Sequence, residues 1–160
     1  MTVYVADEQA RPLQIERLQR LAEYVLADRR VHEAMELGVL CVERDVIARL
    51  NATHMGCEGP TDVLAFPIDF PGETTPGQPA LLGDVVLCPA IAAEQAERRG
   101  TGLRDEVELL LVHGILHLLG HDHAEPHERA VMFALTDQLL AGFRAYEGVR
   151  ARTRIEGEGS

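Results

Sequence analysis

His113-Gly114-Ile115-Leu116-His117-Leu118-Leu119-Gly120-His121-Asp122-His123 is the stretch on which the reading of this chain turns. His113 and His117 stand four apart in an apolar run that predicts a helix. Residues at i and i+4 share one helical face, so both imidazoles can reach one ion. Gly120 supplies a place for the helix to end and the chain to turn. The turn would bring His123 back as a third ligand. Three nitrogen ligands leave one tetrahedral position for water, the arrangement of a catalytic zinc site rather than a structural one.

The spacing, with Gly120 three residues after the second histidine, is similar to the zinc-peptidase pattern H-E-x-x-H-x-x-G-x-x-H. The glutamate that serves those peptidases as general base is Gly114 here, so peptide hydrolysis by that route is not expected. His121 and His127 are nearby alternatives. Gly120 should redirect His121, and His127 falls in the first turn of the next helix, so both read as outer or solvated groups before they read as ligands. Asp122 has two equal readings, orienting a ligating imidazole or serving as an ordinary turn residue. The ion could lower the pKa of a bound water or polarise a phosphoryl oxygen.

Outward from this helix, strands and helices alternate. Thr2 to Ala6 and Glu36 to Val42 read as strands. A helix opens at Pro12 and runs to about Arg29, with Leu18, Leu21, Val25 and Leu26 at helical spacing. Arg44 to Leu50 predicts a short helix, and the breakers Asn51, Gly56, Gly59 and Pro60 predict a turn region over 51–61. Asp62–Pro67 and Leu82–Cys88 are the third and fourth strands, with a surface loop over 68–80. Pro89 opens a helix to about Arg99. The histidine helix begins near Thr101 or Gly102, with Asp105 and Glu106 in its first turn, where negative charge suits the helix dipole. A last helix begins at Glu125 and Pro126 and runs to about Tyr146. These elements predict an α/β or α+β sheet of about four strands with helices packed on it. The expected organisation is one domain over 1–148 and a flexible tail over 149–160.

The chain has 160 residues, 46% hydrophobic, enough for an ordinary single core. Its net charge is -11, from 15 basic and 26 acidic residues. A global basic field for nucleic acid is therefore absent, and any RNA binding needs a local patch or a partner. Arg98, Arg99 and Arg104, near the histidine helix, are the candidates for such a patch, against the alternative of ordinary solvated arginines. Cys41, Cys57 and Cys88 are odd in number and form no C-x-x-C pair, which suits a reducing compartment. The N-terminal residues show no basic segment followed by an apolar one, and no apolar run is long enough for a membrane span. The expected location is the cytoplasm.

The same residues carry a resemblance to a known family. HGILHLLGHDH at 113–123 fits the pattern H-G-x-L-H-L-x-G-x-D-H of the YbeY family, the bacterial endoribonucleases of ribosomal RNA maturation, at every fixed position. PTDVLAFP at 60–67 resembles the family's P-T-D-V-L-S-F-P, with Ala65 in place of Ser. Leu50-Asn51, the strand Leu82-Gly83-Asp84-Val85-Val86, Gln95-Ala96 and Met132 fall in the family's order. The resemblance implies an α+β fold, a mixed sheet with helices on it, and a zincin-like site holding one zinc ion through His113, His117 and His123. It implies metal-dependent endonucleolytic cleavage of single-stranded RNA, in ribosomal RNA maturation and ribosome quality control. The implied partners are ribosomal RNA and the small ribosomal subunit, with no membrane and no DNA.

A second departure from the family bears on the chemistry. After Leu50-Asn51 the family commonly reads x-x-Y-R-G, where this sequence has Ala52-Thr53-His54-Met55-Gly56. An arginine can bind phosphate in bidentate fashion and Met55 cannot; His54 is the candidate substitute. Asp62, Asp84 and Thr61 flank strand ends and read first as structural, second as supporting the site. The first functional expectation is a zinc-dependent endoribonuclease, with a catalytic base that the sequence does not name. The second is a non-catalytic, zinc-stabilised ribosome assembly factor. A peptide or small-amide hydrolase comes third, because of Gly114.

Overall fold

The structure, a computed structural model, describes residues 1–68, 80–121 and 124–158, with side chains as far as Arg154. Strand β1 (Thr2–Glu8) leads through helix α1 (Ile15–Asp28) to β2 (Met35–Val42). Helix α2 (Arg44–Leu50) and a π-helical turn (Asn51–Met55) precede β3 (Val63–Pro67) and β4 (Ala80–Leu87). Helices α3 (Pro89–Arg99), α4 (Leu103–Leu118) and α5 (Pro126–Glu158) complete the described chain.

The four strands form one sheet in the order β1-β2-β4-β3. β1 and β4 both run parallel to β2, and β3 is antiparallel to β4 at the edge. The expectation of a single-domain α+β fold with a mixed four-stranded sheet is met. The parallel pairing of β1 and β2 follows from the helix between them, since parallel strands need a long crossover and α1 supplies it. The β2–β4 register slips between Glu36 and Leu37, leaving Leu82 as the extra residue of a bulge.

Alternation along the strands decides the layers. Met35, Leu37, Val39 and Cys41 of β2 and Ala80, Leu82, Val85 and Leu87 of β4 face one way. They pack on Leu21, Val25 and Leu26 of α1 and on Leu111, Ile115 and Leu116 of α4, and Leu139, Leu140 and Phe143 of α5 close the layer. A smaller cluster, Val42, Ile47, Leu64, Val86 and Cys88, covers part of the opposite face through α2. Helix α4 is apolar nearly all round and buried along most of its length, as a helix inside a core must be.

Three helices are tied by charge. Arg17 of α1 donates through Nε and Nη2 to the fully buried Glu108 of α4, at 3.0–3.3 Å. Arg20 holds Glu147 of α5 by a forked pair at 2.7 and 3.0 Å. That pair, mainly its hydrogen bond, pushes the Glu147 carboxyl below its ordinary range.

The structure corrects the turn expected over 51–61. α2 continues as a π-helical turn to Met55, and Gly56, at φ +67°, ends it. Asn51 is the reason. Its buried side chain donates to the Gly59 carbonyl at 3.0 Å, and its own carbonyl accepts from Cys57 N–H at 3.3 Å. The helical path is closed by these bonds rather than broken by the asparagine. α5 also runs past its expected end near Tyr146, to Glu158. The loop expected over 68–80 falls mostly outside the described residues. No helix among the described residues is long and apolar enough to cross a membrane.

Candidate active site

α4 places the first two histidines of the motif. His113 and His117 are partly buried and line one cleft of about 940 Å³. β3 supplies one wall through Val63, Leu64, Ala65 and Pro67, α5 another through Met132, Phe133, Thr136 and Asp137. Arg99 at the end of α3, Met55 of the π turn and Asp62 lie at its margins. The His113 ring stacks on Phe133, with centroids 5.4 Å apart and planes 22° from parallel.

The helix ends as Gly120 predicts. Gly120 has φ +99°; its N–H donates to His117 O, and His121 N–H donates to Leu116 O, both at 3.0 Å. This pair of bonds is the Schellman arrangement that turns a chain sharply out of a helix. Asp122 and His123 lie outside the described residues.

The donor chemistry fits zinc. Two imidazoles one turn apart on one helix face are borderline-soft nitrogen donors of the kind zinc takes. Among the described residues no group of three His, Cys, Asp or Glu side chains gathers at one point, so a complete ligand set needs a donor from outside them.

Gly114 is packed, not merely small. A Cβ there would stand 2.6 Å from Val85 Cγ1 and 3.3 Å from Val63 Cγ2. Position 114 is where α4 meets the sheet, so a glutamate has no room and the peptidase base has no counterpart here. Other carboxylates line the cleft. Glu106 is buried on the same α4 face as His113, at i+7 spacing, with Arg99 Nη1 3.0 Å from its Oε1. Asp62 is a brace: its Oδ1 accepts from Val63 N–H at 2.8 Å and its Oδ2 from Gln95 Nε2 at 3.1 Å, joining β3 to α3. Asp137 is exposed and makes no ion pair or hydrogen bond among the described residues.

The remaining sequence candidates are dispersed. His54 packs edge-on against Phe66, 5.3 Å between centroids, beside Leu40 and Asp84 in a different groove. Its neighbour Met55 reaches the histidine cleft instead. Asp84 lies over Gly38, where any Cβ would collide with its carboxylate. Of the three arginines only Arg99 lines the cleft. Arg98 is exposed near Glu94, and Arg104 sits beside Asp105 and lines a separate groove with Pro12 and Arg17. Sequence reasoning missed Glu106, Phe133 and Asp137 as cleft residues. Glu106 carried a signal, its spacing to His113 and His117; Phe133 carried none without knowing which face of α5 meets the cleft.

Comparison with known proteins identifies the family and the fold. The model of the family described as Endoribonuclease YbeY matches residues 4–144. The chain belongs to the YbeY family. An Endoribonuclease YbeY of Thermobifida fusca is 52% identical over 149 residues, covering 90% of this chain and 95% of the relative. One of a Nocardioides species is 48% identical, covering 91% and 99%. The solution structure of TM1509 from Thermotoga maritima superposes with a TM-score of 0.58 at 23% identity, covering 90% of this chain and 93% of that one, and shows the same fold. The matched span, residues 4–144, takes in the histidine helix, Asp62 with its Gln95 partner, and Met55.

Proposed function

We propose that this protein is a zinc-dependent endoribonuclease that cuts single-stranded RNA in ribosomal RNA maturation and ribosome quality control. One observation carries the reading: His113 and His117, one turn apart on the most buried helix, line the same cleft in a chain of the YbeY family. In this reading His113, His117 and His123 hold one zinc ion per chain. When bound, the ion would supply Lewis acidity, lowering the pKa of a water or drawing charge from a phosphoryl oxygen. The chain's own residues do the rest. Phe133 fixes the His113 ring by stacking, Arg99 supplies the cationic contact, and Asp137 is a carboxylate within the cleft that can take a proton. Ribosomal RNA within the small subunit is the proposed partner, and the cytoplasm the proposed location. The acidic balance of the chain means the ribosome, rather than a broad basic face, supplies much of the affinity.

A labelled single-stranded RNA incubated with metal-quantified protein tests this, beside His117→Ala. Cutting by the wild type alone, with about one zinc per chain, supports the reading. Stoichiometric zinc without cutting of any RNA, ribosomal precursor within subunits included, favours the non-catalytic assembly factor.

A further inference from the structure

Phe133 has more ring in the cleft than support of a histidine requires. Helix α5 packs through Met132, Thr136, Leu139, Leu140 and Phe143, all buried, and Phe133 is turned off that stripe. It is 45% exposed. A phenyl ring serving the core would occupy the Met132 position. A ring serving only to brace His113 would be covered on its remaining surface. Instead it is the one phenylalanine among the described residues lining the cleft, in contact with His113 and open to whatever enters. Met55, 44% exposed, adds a second apolar surface to the same cleft.

We propose that Phe133 is a nucleobase-stacking platform, taking the base of a nucleotide beside the phosphate presented to His113 and His117. The inference rests on the reading of RNA as substrate given above. Single-stranded RNA offers unpaired π faces, and an aromatic ring binds them with little regard to base identity. Bases of a duplex are already stacked and paired, so the same ring favours single strands. Stacking also contributes affinity that needs no positive charge. That suits a cleft whose one arginine among the described lining residues is tied to Glu106.

An abasic scan separates stacking from bracing. A short RNA carries one abasic nucleotide at successive positions, and binding and cleavage are measured for zinc-quantified wild type, Phe133→Ala, Phe133→Leu and Phe133→Trp. The expected result is one position where the abasic nucleotide weakens wild-type binding about tenfold. Phe133→Leu, which keeps apolar bulk without a π face, binds intact RNA about tenfold more weakly and is indifferent to the abasic nucleotide at that position. Phe133→Trp keeps both the affinity and the positional penalty. An abasic penalty equal in wild type and Phe133→Leu overturns the proposal, as does loss of zinc as the sole effect of the variants. Cutting by wild type with a flat scan leaves the nuclease reading standing and removes the platform. Binding with the positional signature but no cutting does the reverse.

Discussion

The guanidinium of Arg99 spans from the end of α3 to Glu106 on α4, Nη1 to Oε1 3.0 Å, at the margin of the histidine cleft. Glu106 is 2% exposed, while the Arg99 side chain is more than half exposed. The carboxylate is thus buried against a cation that itself remains in water. Arg99→Ala leaves the carboxylate without its cation and should destabilise the fold by about 1–3 kcal/mol, less than a fully buried pair would cost because water screens the arginine. Urea denaturation measures it. Glu106→Gln with Arg99→Ala should cost less than the sum of the two single changes.

Gly114 sets a limit on the cleft floor. Gly114→Ala gains helix propensity of about 1 kcal/mol, but the new Cβ meets Val85 Cγ1 at 2.6 Å. Overpacking in a closed core costs about 1–3 kcal/mol, so net destabilisation is expected. Adding Val85→Ala removes the collision and should recover part of the loss. A thermal melt of the single and double variants decides the matter; a stable Gly114→Ala would mean α4 can lift from the sheet.

The Arg17–Glu108 pair is expected to matter more to stability than the Arg99–Glu106 pair, because Arg17 is far less exposed than Arg99. Glu108 is fully buried and its two oxygens take three contacts from Arg17. Arg17→Ala should cost about 3–5 kcal/mol by stranding that charge. Replacing both residues by apolar ones of similar volume should recover most of it. Equilibrium unfolding of the three variants gives the comparison.

Thiol chemistry should single out Cys57. Cys41 and Cys88 are buried and Cys57 is exposed. Burial, aided by the nearby Asp7 carboxylate, pushes the Cys41 thiol up to about 12. One fast-reacting thiol per folded chain is expected at pH 8, and three after denaturation. The unfolded thiol ionises from about pH 9 while the folded one stays protonated to about 12, so unfolding releases a proton across that window. Stability therefore falls as pH rises from 9 to 12, by up to about 1.4 kcal/mol per pH unit. Cys41→Ala should flatten that slope, read from urea midpoints across the range. The chain has no lysine to confuse the measurement.

Much of this was legible from local pattern. The sequence predicts α2 at its observed bounds because charged and apolar positions alternate there at helical spacing, and Gly120 ends α4 by the turn chemistry that its lack of a Cβ permits. What escaped depends on distant neighbours. Asn51 reads as a breaker until Gly59 and Cys57 are close enough to bond it. Three arginines close in sequence read as one patch, yet helix geometry sends Arg98 and Arg104 to other surfaces and leaves Arg99 at the cleft. The polar residues after Tyr146 lack an apolar stripe, so their helix was invisible, although Glu147 is fixed there by Arg20. The fold class followed from strand and helix alternation; the composition of the cleft required the angle at which α5 crosses α4.

Helix α4 touches the sheet through Gly114, α1 through Glu108, and α5 and β3 across the cleft. Among the described residues, the helix that carries His113 and His117 is held on several sides at once. Displacing either histidine would mean displacing Val85, Arg17 and the core between them. A pliable guest therefore asks less rearrangement of this packed helix than a rigid one does.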